Sequence, residues 1–498
     1  MEYRNPVIPG FYPDPSAIRV GDTYYLVTSS FHFFPGVPLF ESKDLVNWTQ
    51  IGHVLTRASQ LPLDRADSAG GIYAPTIRHH NGRFYMVTTN VTEGGNFYVW
   101  TDDIHGEWSD PVYVQQDGID PSLFFEDGKV YFMSNGTDDR GEHGIVQCEI
   151  DIATGRKLTP ARCIWKGTGG RFLESPHLYH IGQYYYLMAS EGGTEYGHMV
   201  VYARGSSPYG PFESYAGNPV LTNRNLGGYL LQGCGHADLV DDPDGNWWMV
   251  HLGFRQLHEW VMHHITGREV NLAPVTFDAD GWFTAGTDGT NRLTVETERI
   301  SDQVTQHPPK AVTFRNSAPG IEWCWMKNPR MEDYQLSAEA FRLRSSGIML
   351  DDPKQAPTFL GIRQREMNGR LTVMVDVPEG EAGVTCYMTP EQHYELAVRR
   401  TEQGAEVFKR LRVGDLCVES GHTPVSGKVT LTIEGSAFVY RFMAQADGQE
   451  IDLGTAQTKY LSTEIAGNFT GVLLGLYAQG EAQDFAEFTG FSSEAAAP

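Results

Sequence analysis

The sequence predicts an all-β protein, made of a five-bladed β-propeller followed by an antiparallel β-sandwich. The first observation is a hairpin-like motif that recurs five times between residues 14 and 250. The second is a change of pattern after about residue 312, where apolar and polar residues alternate with period two, as half-buried strands require. Segments with helical periodicity are scarce, which argues against an α/β fold.

Each repeat has an apolar stretch, a turn, and then a pair of aromatic or aliphatic residues. Such runs around Gly, Asp or Asn turns are typical of β-hairpins. A repeat of roughly 45–65 residues with about four strands is typical of a propeller blade. Five copies therefore predict five blades, and a β-sandwich with coincidentally similar hairpins is the alternative. The repeats span 14–27, 74–87, 120–133, 174–188 and 236–250, with turns at Asp22, Gly82, Gly128, Gly182 and Gly245.

The repeats end before residue 300, and the next stretch is polar and contains a Pro-Pro pair, as a linker would. We therefore assign residues 1–300 to the propeller and 301–311 to the linker. The alternating strands that follow, joined by tight turns, predict an antiparallel β-sandwich over residues 312–498.

Composition limits the partners and the location. A formal charge of −24 argues against nucleic acid and membrane surfaces, and no run approaches the roughly 18 apolar residues of a membrane helix. The N-terminus has no signal-peptide pattern, and the six cysteines are scattered, so we expect free buried thiols and a cytoplasmic protein. A flat sandwich domain would offer a surface for a homo-oligomer.

The residues that precede each turn carry the functional hypothesis. Equivalent positions of propeller blades converge on the central channel, so these side chains should be neighbours in space. Carboxylates repel one another and desolvate poorly, which makes packing a weak reason to gather them. Each Asp could instead accept backbone hydrogen bonds at a strand start, and the histidine could be an ordinary core residue. Asp14, Ala74, Asp120 and Glu174 stand eight residues before the turn, and His236 stands nine before it.

Two carboxylates on either side of a ligand are what glycoside hydrolysis requires. One must be protonated to donate to the departing oxygen, and the other must be ionised to activate water or attack. A third acid can keep the pKa of the proton donor high. Nearby aromatic residues could stack on a sugar ring or belong to the core; they are Phe31, Phe33, Phe34 and Tyr73.

The motifs that contain these residues resemble family 43 of the glycoside hydrolases, nearest to its two-domain β-xylosidases and α-L-arabinofuranosidases. They are "YPDPS", "GIDPSLF", "FLESPHLY", "GHADL" and "TGREV". The resemblance implies a five-bladed propeller with a concanavalin-like sandwich, and inversion at the anomeric carbon. It implies Asp14 as general base, Asp120 as the acid that tunes the pKa, and Glu174 as general acid.

The same resemblance implies further roles around the sugar. Arg268 matches an arginine that reaches the pocket for the terminal sugar (the glycone), and Phe31 matches an aromatic residue beside it. His236 matches a channel histidine that approaches a calcium ion in some relatives. Tyr73 stands where many family xylosidases have Trp, which changes the stacking area and leaves the choice of glycone open.

We therefore expect an exo-acting hydrolase of short xylo- or arabino-oligosaccharides that requires no cofactor. A channel calcium near His236 is an option that only the resemblance raises, since no ligand cluster has metal spacing. The alternatives are a retaining hydrolase of the invertase kind and a non-catalytic carbohydrate-binding or scaffold propeller. Because the axis-facing residue differs between blades, one asymmetric site is favoured over a repeated binding site.

Overall fold

The computed structural model describes residues 1–313 and 319–495. Five four-stranded antiparallel sheets form the first part, which confirms the five-bladed propeller, and two eight-stranded sheets form the second. The strands of the first part are β1 (Glu2–Arg4), β2 (Ser16–Val20), β3 (Thr23–Val27), β4 (Phe33–Phe34), β5 (Gly36–Ser42), β6 (Trp48–Leu55), β7 (Thr76–His80), β8 (Arg83–Asn90), β9 (Gly95–Thr101), β10 (Val112–Tyr113), β11 (Ile119–Glu126), β12 (Lys129–Thr137), β13 (His143–Glu149), β14 (Arg162–Trp165), β15 (Glu174–Ile181), β16 (Tyr184–Glu191), β17 (Met199–Gly205), β18 (Glu213–Ser214), β19 (Leu231–Asp241), β20 (Trp247–Arg255), β21 (Glu269–Phe277), β22 (Phe283–Ala285) and β23 (Thr294–Glu296).

Each blade is built from one continuous segment of chain, in the order β2-β3-β5-β6, β7 to β10, β11 to β14, β15 to β18 and β19 to β22. The first strand of each blade lines the central channel, so residues far apart in sequence meet there. The N-terminal segment packs against the last blade and so closes the ring of blades. There β1 pairs with β23, and the Tyr3 hydroxyl donates to the Leu272 carbonyl over 2.9 Å.

The predicted linker lies along the propeller. Gln306 exchanges two hydrogen bonds with the backbone of Arg4, and the His307 amide donates to the side chain of Asn47 over 2.9 Å. These hydrogen bonds hold the linker against the propeller.

The second part is a sandwich of two antiparallel sheets around one large apolar core. One sheet runs β26-β27-β38-β29-β34-β35-β36 with β24 beside β38, and the other runs β33-β32-β31-β30-β37-β28-β25-β4. Its strands are β24 (Val312–Thr313), β25 (Trp323–Met326), β26 (Tyr334–Leu336), β27 (Ala340–Leu343), β28 (Thr358–Arg363), β29 (Gly369–Asp376), β30 (Gly380–Thr389), β31 (Gln392–Thr401), β32 (Gly404–Val413), β33 (Leu416–Val425), β34 (Val429–Gly435), β35 (Val439–Ala446), β36 (Gln449–Gln457), β37 (Leu473–Gln479) and β38 (Ala486–Ala495).

The two parts share a sheet and a core. Strand β4 of the propeller pairs with β25, opposite Trp325 and Met326, so Phe33 and Phe34 sit at the junction between the parts. Of the two options raised for these rings, the structure supports the core, because Phe33 is fully buried in a cluster that includes Phe359 of the sandwich and Phe34 packs partly buried against the sandwich core.

Helices are short. The only α-helix of the described ranges is Thr463–Ala466, and 3₁₀ turns lie at Met331–Asp333 and Thr458–Leu461. Over residues 1–313 and 319–495, no helix has the length and apolar character needed to traverse a bilayer. All six cysteines lie in the described ranges and are free; Cys163 is only partly buried and Cys417 is exposed, contrary to the expectation of buried thiols.

Candidate active site

The channel end of the inner strands holds a ring of strained residues. Asp14, Asp120 and His236 adopt left-handed φ angles of 57°, 54° and 43°, and Ser175 has a φ of 53°. L-residues rarely adopt this conformation, and its cost is tolerated mainly where the surrounding structure enforces it for function. All four residues are buried, and three of their side chains meet, since His236 Nδ1 lies within 4 Å of the carboxylates of Asp14 and Asp120.

The register corrects the predicted position of Glu174. In blade three Ile119 faces Asn135, and in blade four Glu174 faces Ser190, with the same irregularity after each pair. Glu174 is thus equivalent to Ile119, and Ser175 takes the place of Asp120. Gly182 is the first residue of its two-residue turn, whereas Gly82 and Gly128 are the second residues of theirs, so counting back from the glycine placed Glu174 one position off.

Asp14 is a buried carboxylate held by an arginine and a serine. Nη1 of Arg268 lies 2.8 Å from Oδ1, the Ser29 hydroxyl lies 2.5 Å from Oδ2, and His236 Nδ1 lies 3.5 Å from Oδ1. Burial would raise the pKa of Asp14, but Arg268, His236 and Ser29 together outweigh burial and lower it below the usual value. Asp14 is therefore ionised at neutral pH.

The surroundings of Asp120 and Glu174 raise their pKa values, in contrast to Asp14. Asp120 accepts a hydrogen bond from the Ser175 amide over 3.1 Å, but burial and the charges of Glu174 and Asp14 raise the pKa of Asp120 well above its usual value. Burial, then the charge of Asp14, raises the pKa of Glu174 to about 7, although Arg268 opposes the shift. The two acids titrate as a coupled pair that keeps a proton near neutral pH.

Two buried histidines complete the floor of the site. His236 Nδ1 lies 3.8 Å from Asp120 Oδ2, and burial lowers the pKa of His236 although Asp14 opposes the shift. His198 packs against Gly235, where a Cβ would come within 2.4 Å of its ring, and burial lowers the pKa of His198 to about 3. Burial thus disfavours the charged form of both imidazoles.

Aromatic rings form one wall of the site, and the sandwich contributes to that wall. Phe31 lies 5.2 Å from the Tyr73 ring and 6.4 Å from the Phe469 ring, centroid to centroid. The Phe469 carbonyl accepts a hydrogen bond from Arg268 Nη2 over 3.3 Å, and the Asn468 side chain donates to Ser68 over 3.0 Å. Sequence analysis missed Phe469, because no local pattern indicates that a loop 201 residues after Arg268 returns to it.

Below the site, the channel contains an acid that is already neutralised. Arg78 donates to Asp238 over 2.8 Å and 3.1 Å and lies 2.9 Å from His177 Nδ1. In the described ranges, no group of three or more His, Cys, Asp or Glu side chains is arranged to hold a metal ion. A guanidinium already serves this channel carboxylate, and the calcium ion that the resemblance implied near His236 stays a prediction.

The seven residues predicted for the site are thus brought together at one end of the channel, with the four strained positions at its centre. Arg78 was also missed, although the sequence carries a signal for it. The equivalent positions of the other repeats hold apolar or aromatic residues, so a charged residue on an inner strand is unexpected; they are Ile18, Phe124, Tyr179 and Val240.

Comparison with known proteins gives matches over nearly the whole chain. Residues 3–283 match the profile described as Glycosyl hydrolases family 43, and residues 311–494 match the Beta xylosidase C-terminal Concanavalin A-like domain. The chain is 40% identical over 492 residues to a non-reducing end alpha-L-arabinofuranosidase of Bacteroides ovatus, covering 97% of this chain and 92% of that protein. It is 36% identical over 508 residues to a xylosidase/arabinosidase of Butyrivibrio fibrisolvens, covering 95% of each.

Solved structures agree with these matches. A Bacteroides ovatus protein described as GH43B of a xyloglucan PUL superposes with a TM-score of 0.93 at 37% identity, covering 100% of both chains. A xylan beta-1,4-xylosidase of Bacillus halodurans superposes with a TM-score of 0.91 at 30% identity, covering 99% of this chain and 100% of that one.

Proposed function

The chain belongs to family 43 of the glycosyl hydrolases, and on this premise we propose that it releases terminal arabinofuranosyl or xylosyl units from short oligosaccharides, with inversion at the anomeric carbon. The observation that carries the proposal is the opposite pKa shift of two acids at one site. Asp14 is held ionised by Arg268, while Glu174 keeps its proton near pH 7. Acid and base are thereby assigned by their surroundings.

Asp14 acts as the general base. Arg268 and Ser29 fix the orientation of its carboxylate, and each oxygen retains a further lone pair for a water molecule. The water loses a proton to Asp14 as its oxygen attacks the anomeric carbon. In this scheme, the bond to the leaving oxygen breaks on the opposite face of the sugar, which inverts the configuration.

Glu174 acts as the general acid and protonates the leaving oxygen. It is half-buried at the start of β15, which gives it access to substrate, while Asp120 is more deeply buried beside it. Asp120 helps to keep a proton on the pair, and its hydrogen bond from Ser175 fixes its position. Donation by a positioned acid typically contributes about 10²–10⁴-fold to the rate.

The wall contributed by the sandwich supports exo action. A cavity of about 360 Å³ adjoins Tyr73 and is bounded by the loop at residues 65–70 and by Asn468 and Phe469. The contacts of Phe469 with Arg268 and Phe31 set a sandwich loop against one side of the site, and a site bounded in this way admits a chain end.

Arabinofuranosides are the first substrates to test, since the 40% identical relative from Bacteroides ovatus is named an alpha-L-arabinofuranosidase. Xylosides are the second, because the 36% identical relative is named a xylosidase/arabinosidase. The oligosaccharide is neutral, which suits a chain with a formal charge of −24. A cytoplasmic location and self-association stay predictions from the sequence.

The test is a pair of nitrophenyl substrates, the α-L-arabinofuranoside and the β-D-xyloside, followed by NMR of the first-formed sugar anomer. We expect turnover of at least one and net inversion. Net retention would favour an invertase-like mechanism, and sugar binding without turnover would favour the non-catalytic propeller. A double variant of Asp14 and Glu174 to Asn and Gln is the matched control for contaminating hydrolases.

A further inference from the structure

A second aromatic feature lies beside Glu174 and takes no part in the mechanism above. Phe172, two residues before Glu174, is 58% exposed. It adopts a left-handed φ of 53°, a conformation that is strained for a bulky aromatic residue. It belongs to none of the hydrophobic clusters of the described ranges, so packing does not account for the strain.

The ring is nevertheless held in place by its neighbours. Gly193 lies against it, and a Cβ at that position would come within 2.9 Å of Cδ2 of Phe172. The Arg171 guanidinium lies 5.2 Å from the ring centroid. Nε of Arg171 donates to the Gly192 carbonyl over 2.9 Å, and its Nη2 forms an ion pair with Glu195. A glycine pair and a clamped arginine therefore fix an aromatic ring that faces solvent.

We infer that Phe172, supported by Arg171 and Gly193, is the platform for the leaving-group sugar, the ring from which the terminal unit is cleaved. The inference rests on the proposed function, since the leaving oxygen must lie at Glu174 and the next sugar must therefore lie close to it. The apolar C–H face of a pyranose packs well on an aromatic face, and ligand sites are commonly lined in this way.

The alternative is that Phe172 only closes its loop. A loop-closing aromatic residue would be expected to bury its ring, and a left-handed position would be expected to hold Gly or Asn. Phe172 meets neither expectation: its ring is exposed, and it holds a left-handed position itself. The glycine of this loop, Gly193, lies beside the ring instead. Strain of this kind, at a position two residues from the proposed acid, is consistent with a binding role.

The experiment compares two leaving groups on one glycone, the preferred disaccharide and the methyl glycoside, for wild type and the Phe172→Gly variant. Glycine removes the ring and relaxes the left-handed backbone, so folding is not at risk. We expect kcat/KM on the disaccharide to fall about tenfold, which corresponds to about 1.4 kcal/mol. The value for the methyl glycoside, which has no sugar to stack, should change less than about twofold.

Phe172→Tyr retains the platform and should keep disaccharide activity within about twofold of wild type. Tyr113→Ala, which removes a 46% exposed ring from the outer strand β10, is the matched control and should change neither substrate. Equal losses on both substrates in Phe172→Gly, or no loss on the disaccharide, would overturn the platform. A wild type that cleaves neither substrate would instead refute the proposed function.

Discussion

Asp120 and Asp238 line the same channel, and both are deeply buried, yet their surroundings shift their pKa values in opposite directions. Asp238 receives two hydrogen bonds from Arg78, one from the Ser16 hydroxyl and one from the Tyr179 hydroxyl. Burial would raise the pKa of Asp238, but these partners, Arg78 foremost, lower it far below the usual value. Asp120 accepts one backbone hydrogen bond and faces other carboxylates, so its pKa rises.

The difference teaches that the supply of donors, more than burial, decides which of these two channel acids keeps a proton near neutral pH. Asp238, which four side-chain hydrogen bonds hold, stays ionised and exchanges no proton near neutral pH. Asp14 is also ionised, but it has fewer donors, and each of its oxygens keeps a lone pair for the proton of a water molecule. A carboxylate left short of donors beside other acids stores unfavourable energy that catalysis can use.

The largest effect is expected from removing the proton donor. Glu174→Ala should lower kcat on an unactivated disaccharide by about 10²–10⁴-fold, because the leaving oxygen must then depart without a proton. On a nitrophenyl glycoside the loss should be much smaller, since that leaving group departs as a stable anion. Steady-state kinetics on the two substrates check this, and equal losses on both would remove Glu174 from the donor role.

The next effect tests the structural acid. Asp238→Asn leaves the Arg78 guanidinium buried without a counter-charge, and breaking such a buried pair typically costs about 3–5 kcal/mol of unfolding free energy. Denaturant unfolding followed by fluorescence measures the cost. Asp120→Asn is the matched control, and it should leave the unfolding free energy unchanged or raise it, since it removes a carboxylate that is short of donors. A loss in Asp120→Asn as large as that in Asp238→Asn would contradict the comparison.

The functional end of the channel was predicted from sequence and the Arg78–Asp238 pair was not, and the reason is physical. The repeat is a local pattern of apolar residues and turns, and propeller closure follows from its count, so Asp14 and Asp120 could be assigned to one channel end. The exact ring position of Glu174 could not, because it depends on whether the glycine is the first or the second residue of its turn. Ser175 rather than Glu174 takes the strained place in blade four.

Contacts between distant segments were beyond the sequence. Phe469 reaches the site because the sandwich shares β4 with the propeller, and no periodicity in either part encodes that pairing. The choice of Arg78 rather than a metal as the partner of Asp238 likewise depends on side chains from two blades meeting in the channel.

The pH profile of activity tests the acid and base roles at the functional end of the channel. Glu174 must be protonated to act, and its pKa is raised to about 7, so kcat/KM should fall about tenfold per pH unit above pH 7. Asp14 must be ionised, and its pKa is lowered, so the acid limb should lie below about pH 4. A profile that is flat to pH 9, or one whose acid limb lies above pH 5, would contradict the assignment of the two roles.

The smallest effect concerns stability and has a definite sign. The raised pKa of Glu174 means that the folded protein holds a proton that the unfolded chain releases, so stability falls as pH rises from about 4.5 to about 7. Glu174→Gln has no such group and should be more stable than wild type at pH 8, by about 1–2 kcal/mol after allowance for partial exposure. The gain should shrink toward zero at pH 4.5.

Denaturant unfolding at both pH values measures it, and a loss of stability at pH 8 would mean that Glu174 is a structural acid like Asp238. Because the variant also loses the proton donor, a gain in stability with a loss in kcat would show that this carboxylate is kept for its chemistry at the expense of the fold.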